Sequence, residues 1–221
     1  MANALTLTVW FVVSCVSAEL LGYGLHRLLH SGVVGFLSRN HMKHHMVLYG
    51  PLQEQRSKQY RDATDDSISL GNIGIEWLIP AAVLIVCVLG LFHLFHVRLL
   101  YRLIYFATTL GWSCLMFSYL HDAQHIEGYW MERSRFLKGW FVSARNLHEI
   151  HHQVINDEGL MDRNFGIAFF FFDRLFGTLS AGEPRFNYDG YLVAQKRFRS
   201  TISGGAGEPQ TLAARGKTPG D

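Results

Sequence analysis

The stretch Leu5–His30, LTLTVWFVVSCVSAELLGYGLHRLLH, decides the fold because an apolar segment runs without a break into a pair of histidines. About 20 apolar residues suffice for a helix to cross a bilayer, and Leu5–Leu25 meets that length. The segment lacks the basic start and the cleavage-like break of a secretion signal, so we expect it to remain in the mature protein. His26 and His30 then lie at the end of a first membrane span.

Two further apolar segments, Trp77–Phe95 and Leu99–Leu120, are long enough to cross the bilayer. Only a few polar residues separate them, which predicts a tight helical hairpin. A hydrophobic content of 49% and a positive mean hydropathy agree with membrane spans. The sequence therefore predicts an all-α integral membrane protein with about three transmembrane helices, one single helix plus a hairpin.

The basic residues predict which way the chain is oriented. With three spans, residues 26–76 and 121–221 share one side of the membrane, and they contain all of the 20 Lys and Arg residues except Arg98 and Arg102. The positive-inside rule places both stretches in the cytoplasm. A net charge of +2 argues against a nucleic-acid partner, and the three cysteines form no C-x-x-C pair, which disfavours a thiolate zinc site.

Ten of the 12 histidines fall in four short clusters on that same side. The clusters are H-R-L-L-H (His26, His30), H-M-K-H-H (His41, His44, His45), H-D-A-Q-H (His121, His125) and H-E-I-H-H (His148, His151, His152). Positions i, i+3 and i+4 share one face of a helix, so each cluster directs its imidazoles the same way. Imidazole is a good ligand for iron, zinc, copper and nickel, and ten are too many for one ion and about right for two.

His93 and His96 also have metal-ligand spacing. They lie at the opposite end of the second span, about 30 Å away if the helix crosses the membrane fully. We therefore expect them to be interfacial residues and not ligands.

The four clusters, in this order, resemble those of the fatty acid hydroxylase / sterol desaturase superfamily of integral-membrane di-iron oxygenases. Asp162–Leu179, DRNFGIAFFFFDRLFGTL, resembles the ending that follows the last cluster there, although Phe172 stands where that family usually has Trp. The resemblance implies two iron ions, dioxygen as co-substrate, a separate electron-donor protein and a lipid or sterol-like substrate. Carotenoid-ring hydroxylases are a more distant resemblance, because their first and third clusters are looser and they lack this ending.

Four acidic residues are candidates for roles around the metals. Glu19 lies within the first span, seven residues before His26, where an ionisable group is costly and by default functional. We expect a proton-path, substrate-channel or ligand-supporting role for Glu19, or else a buried, hydrogen-bonded structural acid. Asp122, Glu149 and Asp173 could hold ligand imidazoles through the second ring N–H.

The remaining segments are expected around one catalytic domain, residues 1–199. Tyr129–Arg145 and Phe165–Phe172 are candidates for the membrane surface, and Trp130, Leu137, Trp140 and Phe141 could share one helical face. A buried amphipathic helix is the alternative for the first of them. Residues 200–221 are rich in small and polar residues and are predicted to be disordered.

These patterns favour an enzyme that uses dioxygen to oxidise an unactivated C–H bond, with hydroxylation preferred over desaturation. A membrane metal-binding or transport protein is the alternative from another class, but a transporter should place ionisable ligands near the middle of the bilayer. A zinc hydrolase acting on lipids is a third possibility. It would need fewer histidines and a Glu base, for which Glu149 in H-E-I-H-H is the candidate.

Overall fold

The computed structural model describes residues 3–63, 69–70, 73–182 and 185–202. Regular structure in this part of the chain is helical apart from one short strand pairing and an isolated bridge between Ser57 and Ile126. The α-helices are α1 (Ala4–Ser31), α2 (Gly35–Lys43), α3 (Ile75–Leu94), α4 (Leu99–Ser113), α5 (His121–Gln124), α6 (Lys138–Gln153), α7 (Phe171–Phe176) and α8 (Tyr188–Ile202). Two π-helical segments, His44–Leu48 and Cys114–Leu120, continue α2 and α4, and Trp130–Glu132 is a 3₁₀ turn. Strands β1 (Ser69–Leu70) and β2 (Ile73–Gly74) pair antiparallel, with Leu70 opposite Ile73.

Among the described residues, three helices are long and apolar enough to cross a membrane, which confirms the prediction of an integral membrane protein. They are Ala4–Ser31, Trp77–Leu94 and Leu99–Gln124. At most 22% of the most apolar window of each is buried inside the protein, so their apolar side chains mostly point outward. An apolar surface of this extent needs a lipid environment.

Helices α1 and α4 pack closely because small side chains line their contact. Ser14 is fully buried, and the hydroxyl of Thr109 donates to its carbonyl oxygen at 3.4 Å. One turn beyond Ala18, Gly22 leaves room for the ring of Phe117, since a Cβ at Gly22 would lie 2.0 Å from Cζ of that ring. Small residues at such contacts let helix backbones approach each other in a membrane.

Helix α3 is joined to the other two spans mainly by aromatic side chains at its ends. Trp77 lies 6.1 Å from Phe117 between ring centroids, on the side of the histidines. At the other end a cluster that we call the aromatic floor links all three spans. It consists of Trp10, Phe92, Tyr101, Tyr105 and Phe106. Arg102 closes the hairpin there by donating to the carbonyl oxygens of Phe92 and Val97.

The rest of the described chain forms a cap over the ends of α1 and α5. Helix α8 packs on α2 through a buried apolar cluster. Its members are Met42, Met46, Ile155, Met161, Tyr191, Ala194 and Phe198. Gly159 permits this contact, because it has φ +73° and a Cβ there would lie 2.5 Å from the backbone nitrogen of Ala194.

Two expectations for the surface segments need correction. Tyr129–Arg145 is not one helix, because Trp130 lies in the 3₁₀ turn and α6 begins at Lys138. Phe141 is fully buried and packs in the cap, so these aromatic residues do not share a helical face. In Phe165–Phe172 the first residues are buried, and exposed phenylalanines begin at Phe169.

The predicted C-terminal tail begins inside a helix. Helix α8 extends to Ile202 and so includes the first residues of the segment 200–221. Residues 203–221 lie outside the described residues.

Candidate metal centre

The four histidine clusters meet in two groups of five side chains. The first histidine group is His26, His30, His41, His45 and His151, and the second is His44, His121, His125, His148 and His152. Within each group the nitrogens that could bind a metal all lie within 4.8 Å of one another. The structure therefore brings together all ten histidines that the sequence selects.

The two groups are interleaved along the chain. Helix α1 contributes both of its histidines to the first group, and His121 and His125 at the end of the third span both enter the second. The adjacent residues His44 and His45 separate, one into each group, and so do His151 and His152. Adjacent residues diverge by about 100° around a helix, so α6 and the start of the π-helical segment lie between the groups.

Burial keeps the imidazoles of the cap neutral. Nine of the ten are less than 9% exposed, and His121 is the exception. Outside the membrane spans, removal from water lowers the pKa of the cap histidines well below the ordinary value, and that of His151 to about 4. A neutral imidazole has a free ring nitrogen, which is the form that binds a metal.

Backbone carbonyl oxygens fix the orientation of four rings. Nδ1 of His26 donates to Phe165 at 2.6 Å, His125 to Gln55 at 3.0 Å, His151 to Arg163 at 2.5 Å and His152 to Tyr49 at 2.8 Å. A carbonyl oxygen can only accept, so Nδ1 carries the proton and Nε2 is left free. In each case Nε2 belongs to the donor set of a group.

The spacing of these nitrogens fits a metal ion. Nε2 of His30 lies 2.9 Å from that of His41 and 3.0 Å from that of His151. In the second group, Nε2 of His148 lies 3.1 Å from those of His125 and His152. Two nitrogens bound at about 2.1 Å and about 90° apart would be ~3.0 Å from each other.

Several ring nitrogens in the groups are buried without a hydrogen-bond partner among the described residues. They include Nε2 of His26 and both nitrogens of His44 and of His45. A buried polar atom without a partner costs about 1–3 kcal/mol, so a concentration of them in one place calls for a ligand. The donor set therefore fits two metal ions held by imidazole.

The chain from Tyr49 to Ala63 covers the second group and is tied to α6. Its carbonyl oxygens at Tyr49 and Gln55 hold two of the imidazoles, and the Tyr49 ring stacks on His125 at 4.0 Å. Arg56 forms a bidentate ion pair with Glu149, at 2.5 and 2.9 Å. Glu149 thus pairs with an arginine and does not hold an imidazole.

The segment after α6 is organised by Asp173, which is fully buried. Its carboxylate accepts from the backbone N–H of Phe165, from that of Gly166 and from the hydroxyl of Thr178, each at 2.7 Å. Asp173 therefore contacts no imidazole directly. It holds the backbone at Phe165, whose carbonyl oxygen in turn orients His26.

Asp122 does contact a histidine of its own cluster. Its Oδ1 lies 3.3 Å from Nδ1 of His121, and the hydroxyl of Tyr60 lies beside its carboxylate. Burial, together with the nearby Asp122 carboxylate, raises the pKa of Tyr60 well above its ordinary value, so this hydroxyl keeps its proton. Tyr60 and Asp122 both line a cavity beside the second group.

Glu19 lies on α1, where its Oε1 accepts from the indole Nε1 of Trp112 on α4 at 2.7 Å. This is the bond that the structural alternative for Glu19 predicts, and a catalytic role for it stays a prediction. His93 and His96 are exposed at the hairpin end of α3, away from both groups.

Sequence reasoning missed several residues that shape the site. Tyr49, Gln55, Arg163 and Phe165 act through their carbonyl oxygens, for which side-chain identity gives no signal. Tyr60 follows the second cluster by fifteen residues, and nothing in its spacing marks it.

The cavity between α1, α3 and α4 has a volume of about 270 Å³ and opens onto both groups. At one end it is lined by His26 and His41 of the first group and by His44 and His121 of the second. Most of its wall is apolar and belongs to the three membrane spans. A molecule dissolved in the bilayer could therefore present one of its carbons to the histidines.

Comparison with known proteins gave one match. A family model described as fatty acid hydroxylase matches residues 11–178, which include all four histidine clusters and most of the Asp162–Leu179 ending. The comparison with curated proteins and the comparison with solved structures gave no match.

Proposed function

The chain belongs to the fatty acid hydroxylase family, and from this membership we propose that it is a membrane di-iron oxygenase acting on a C–H bond of a lipid or sterol-like substrate. The single observation that carries the proposal is the convergence of ten imidazoles into two neighbouring groups of five. Imidazole suits iron, and the family supplies the expectation of two irons and dioxygen. Hydroxylation is preferred over desaturation.

The two histidine groups would each hold one iron through Nε2 atoms that the backbone carbonyls aim inward. Bound there and reduced by a separate electron-donor protein, the irons would supply activation of dioxygen and removal of hydrogen from an unactivated carbon. The chain holds the cap imidazoles neutral, fixes the tautomers of four rings through backbone carbonyls and excludes water with its buried cap. The cavity wall orients the substrate carbon toward the histidines.

Asp122 and Glu19 are proposed as supporting residues. Asp122 would orient His121 through Nδ1, with the Tyr60 hydroxyl beside its carboxylate; a carboxylate in this place commonly supports a metal-bound imidazole. Glu19, through its bond to Trp112, would position α4 against α1 below the first group.

The catalytic face is proposed to be cytoplasmic. In the sequence, all Lys and Arg residues except Arg98 and Arg102 fall in residues 26–76 and 121–221, the two stretches that contain the clustered histidines, and the positive-inside rule associates such stretches with the cytoplasm. The lipid bilayer supplies the substrate, and the donor protein would approach from the cytoplasm.

The position of Glu149 argues against a zinc hydrolase. A hydrolase of that kind needs a carboxylate facing the metal and its water. Both carboxylate oxygens of Glu149 accept from Arg56, so this candidate base is already committed to an ion pair.

Metal analysis and lipid analysis together test the proposal. Protein purified from iron-supplemented cells should contain about two irons per chain, and His45→Ala and His148→Ala should each lose metal together with turnover. His93→Ala is the matched control and should keep both. Lipids of expressing cells should gain products that are heavier by one oxygen or lighter by two hydrogens, and only when dioxygen is present.

Other results would overturn it. Full metal content and full turnover in both group variants would remove the site. Products that differ by one water and form without dioxygen would identify a hydrolase. Loss of iron in His93→Ala would mean that the hairpin end is part of the centre.

A further inference from the structure

The cavity beside the histidines is closed at its far end. Its last lining residue on α3 is Val88, and its first on α4 are Tyr105 and Phe106. One turn beyond Val88, Phe92 packs edge-on against Tyr105 at 5.1 Å and against Phe106 at 6.0 Å. Trp10 of α1 packs on Phe92 at 5.8 Å, so the aromatic floor joins all three spans and blocks the passage.

The cavity is long as well as closed. On α3 it is lined by one stripe of side chains, namely Trp77, Leu78, Ala81, Leu84, Ile85 and Val88. From Trp77 to Val88 a helix rises ~16 Å. A zigzag hydrocarbon with C–C bonds of about 1.5 Å advances ~1.3 Å per carbon, so this length accommodates ~13 carbons.

The two ends of the cavity differ in chemistry. Near the histidines, the wall includes the polar residues Asn40, Tyr60, Asp62 and Asp122. Toward the floor the lining residues carry no charge, and Thr109 already donates to the backbone of Ser14. A polar head group placed at the floor would lose its water without gaining equivalent partners, at a cost of several kcal/mol.

We propose that the cavity holds one extended hydrocarbon, with its methyl end on the aromatic floor and its polar end at the histidines. Phe106 helps to set how long this hydrocarbon can be. This inference rests on the proposed function. If the oxidised carbon lies at the histidines, this orientation places it near the polar end of the substrate, about 13 or more carbons from the terminal methyl. Oxidation at the methyl end would require the reverse orientation.

Photolabelling of the purified wild-type protein tests the orientation directly. Two hexadecanol probes carry a diazirine, one near the methyl end and one near the hydroxyl end, and the labelled residues are mapped by mass spectrometry. The methyl-end probe should label the region of Val88, Tyr105 and Phe106. The hydroxyl-end probe should label the region of Trp77 and Phe117.

Competition by unlabelled alcohols of 10 to 20 carbons tests the floor. The strongest competitor should become longer by about two to three carbons in Phe106→Ala and shorter in Phe106→Trp. Leu103→Ala is the matched control on the same helix, because Leu103 is 58% exposed on the outer surface, and the preferred length should not change.

Three outcomes would overturn the proposal. The first is that each probe labels the region expected for the other. The second is that labelling is confined to outward residues such as Leu103. The third is that the preferred alcohol length is unchanged in both Phe106 variants. Photolabelling needs no turnover, so it separates the two proposals. Correct labelling without oxygenase activity would refute only the oxygenase, and turnover with exchanged labelling would refute only the orientation.

Discussion

Replacing Asp173 by asparagine tests how the segment after α6 is held beneath the first histidine group. The carboxylate is fully buried and accepts three hydrogen bonds of 2.7 Å. In Asp173→Asn one oxygen remains to accept from Phe165 and Thr178. The new amide NH₂ takes the place of the oxygen that accepts from Gly166, so two donors face each other.

The expected cost follows from the bond that is lost. A hydrogen bond to a charged group contributes about 1.5–3 kcal/mol, and a buried N–H left without an acceptor costs about 1–3 kcal/mol. Both figures describe the contact with the Gly166 N–H, so they are not added together. We therefore expect Asp173→Asn to lower the free energy of unfolding by ~2–3 kcal/mol. The displaced Phe165 carbonyl should also weaken metal binding at the first group about 10-fold, with the second group unaffected.

The unfolding free energy is measured on metal-free protein in mixed micelles, by titration with SDS and tryptophan fluorescence, so that bound metal does not stabilise the folded state. Asp162→Asn is the matched control, because Asp162 is 41% exposed and pairs with Arg163 at 3.4 Å. Its removal should change the free energy by less than about 1 kcal/mol. A change of less than 0.5 kcal/mol in Asp173→Asn would refute the reasoning, as ~2 kcal/mol is the smallest loss expected.

Three further substitutions follow from single contacts. Glu19→Gln keeps an oxygen that accepts from Trp112 of α4, so folding and iron content should be unchanged. A loss of turnover beyond about 10-fold would instead support a direct catalytic role for Glu19. Gly159→Ala places a methyl group 2.5 Å from the backbone of α8, at φ +73°, and should lower the free energy of unfolding by more than ~2 kcal/mol. Gly139→Ala in α6 is the control, because its methyl group meets nothing within 4 Å, and it should be neutral or stabilising. Tyr60→Phe removes the hydroxyl beside Asp122. It should weaken metal binding at the second group about 10-fold in a chelator competition, while the first group is unchanged.

The sequence predicts the membrane architecture well because that architecture depends on the length and apolar composition of a few segments. Three apolar segments of sufficient length leave the chain few alternatives in a bilayer, and the observed helices start and end within a few residues of the predicted ones, apart from the longer C-terminal ends of the first and third. The convergence of the histidines was predictable for a similar reason. Each cluster has helical spacing and lies on the same side of the three spans.

The partition of the histidines could not be predicted. Whether His44 or His45 enters the first group depends on how α2 and α6 are rotated against the spans, and packing of the cap decides that. Of the three carboxylates predicted to hold imidazoles, Asp122 contacts His121, whereas Glu149 and Asp173 contact none and backbone carbonyls act instead. Glu149 and Asp173 act on the site indirectly. Glu149 binds Arg56 and Asp173 binds the backbone of Phe165, and these bonds fix the segments that carry the orienting carbonyls.

The Tyr129–Arg145 segment shows a limit of periodicity. Its aromatic spacing fits a helical face, but Trp130 lies in a 3₁₀ turn and Phe141 lies in α6, so the two belong to different elements. Burial of Phe141 against Met131 and Leu120 is a tertiary contact that a helical pattern does not reveal.

The splitting of two adjacent pairs, His44 with His45 and His151 with His152, has an evolutionary consequence. Neither half of the centre is a separable module that could be lost, duplicated or transplanted alone, since the same two helices serve both halves. A one-residue insertion within either helix would rotate every histidine beyond it by about 100° and so turn it away from its group. Variation in this chain should therefore accumulate in loops and cavity walls, while the lengths of these two helices stay fixed.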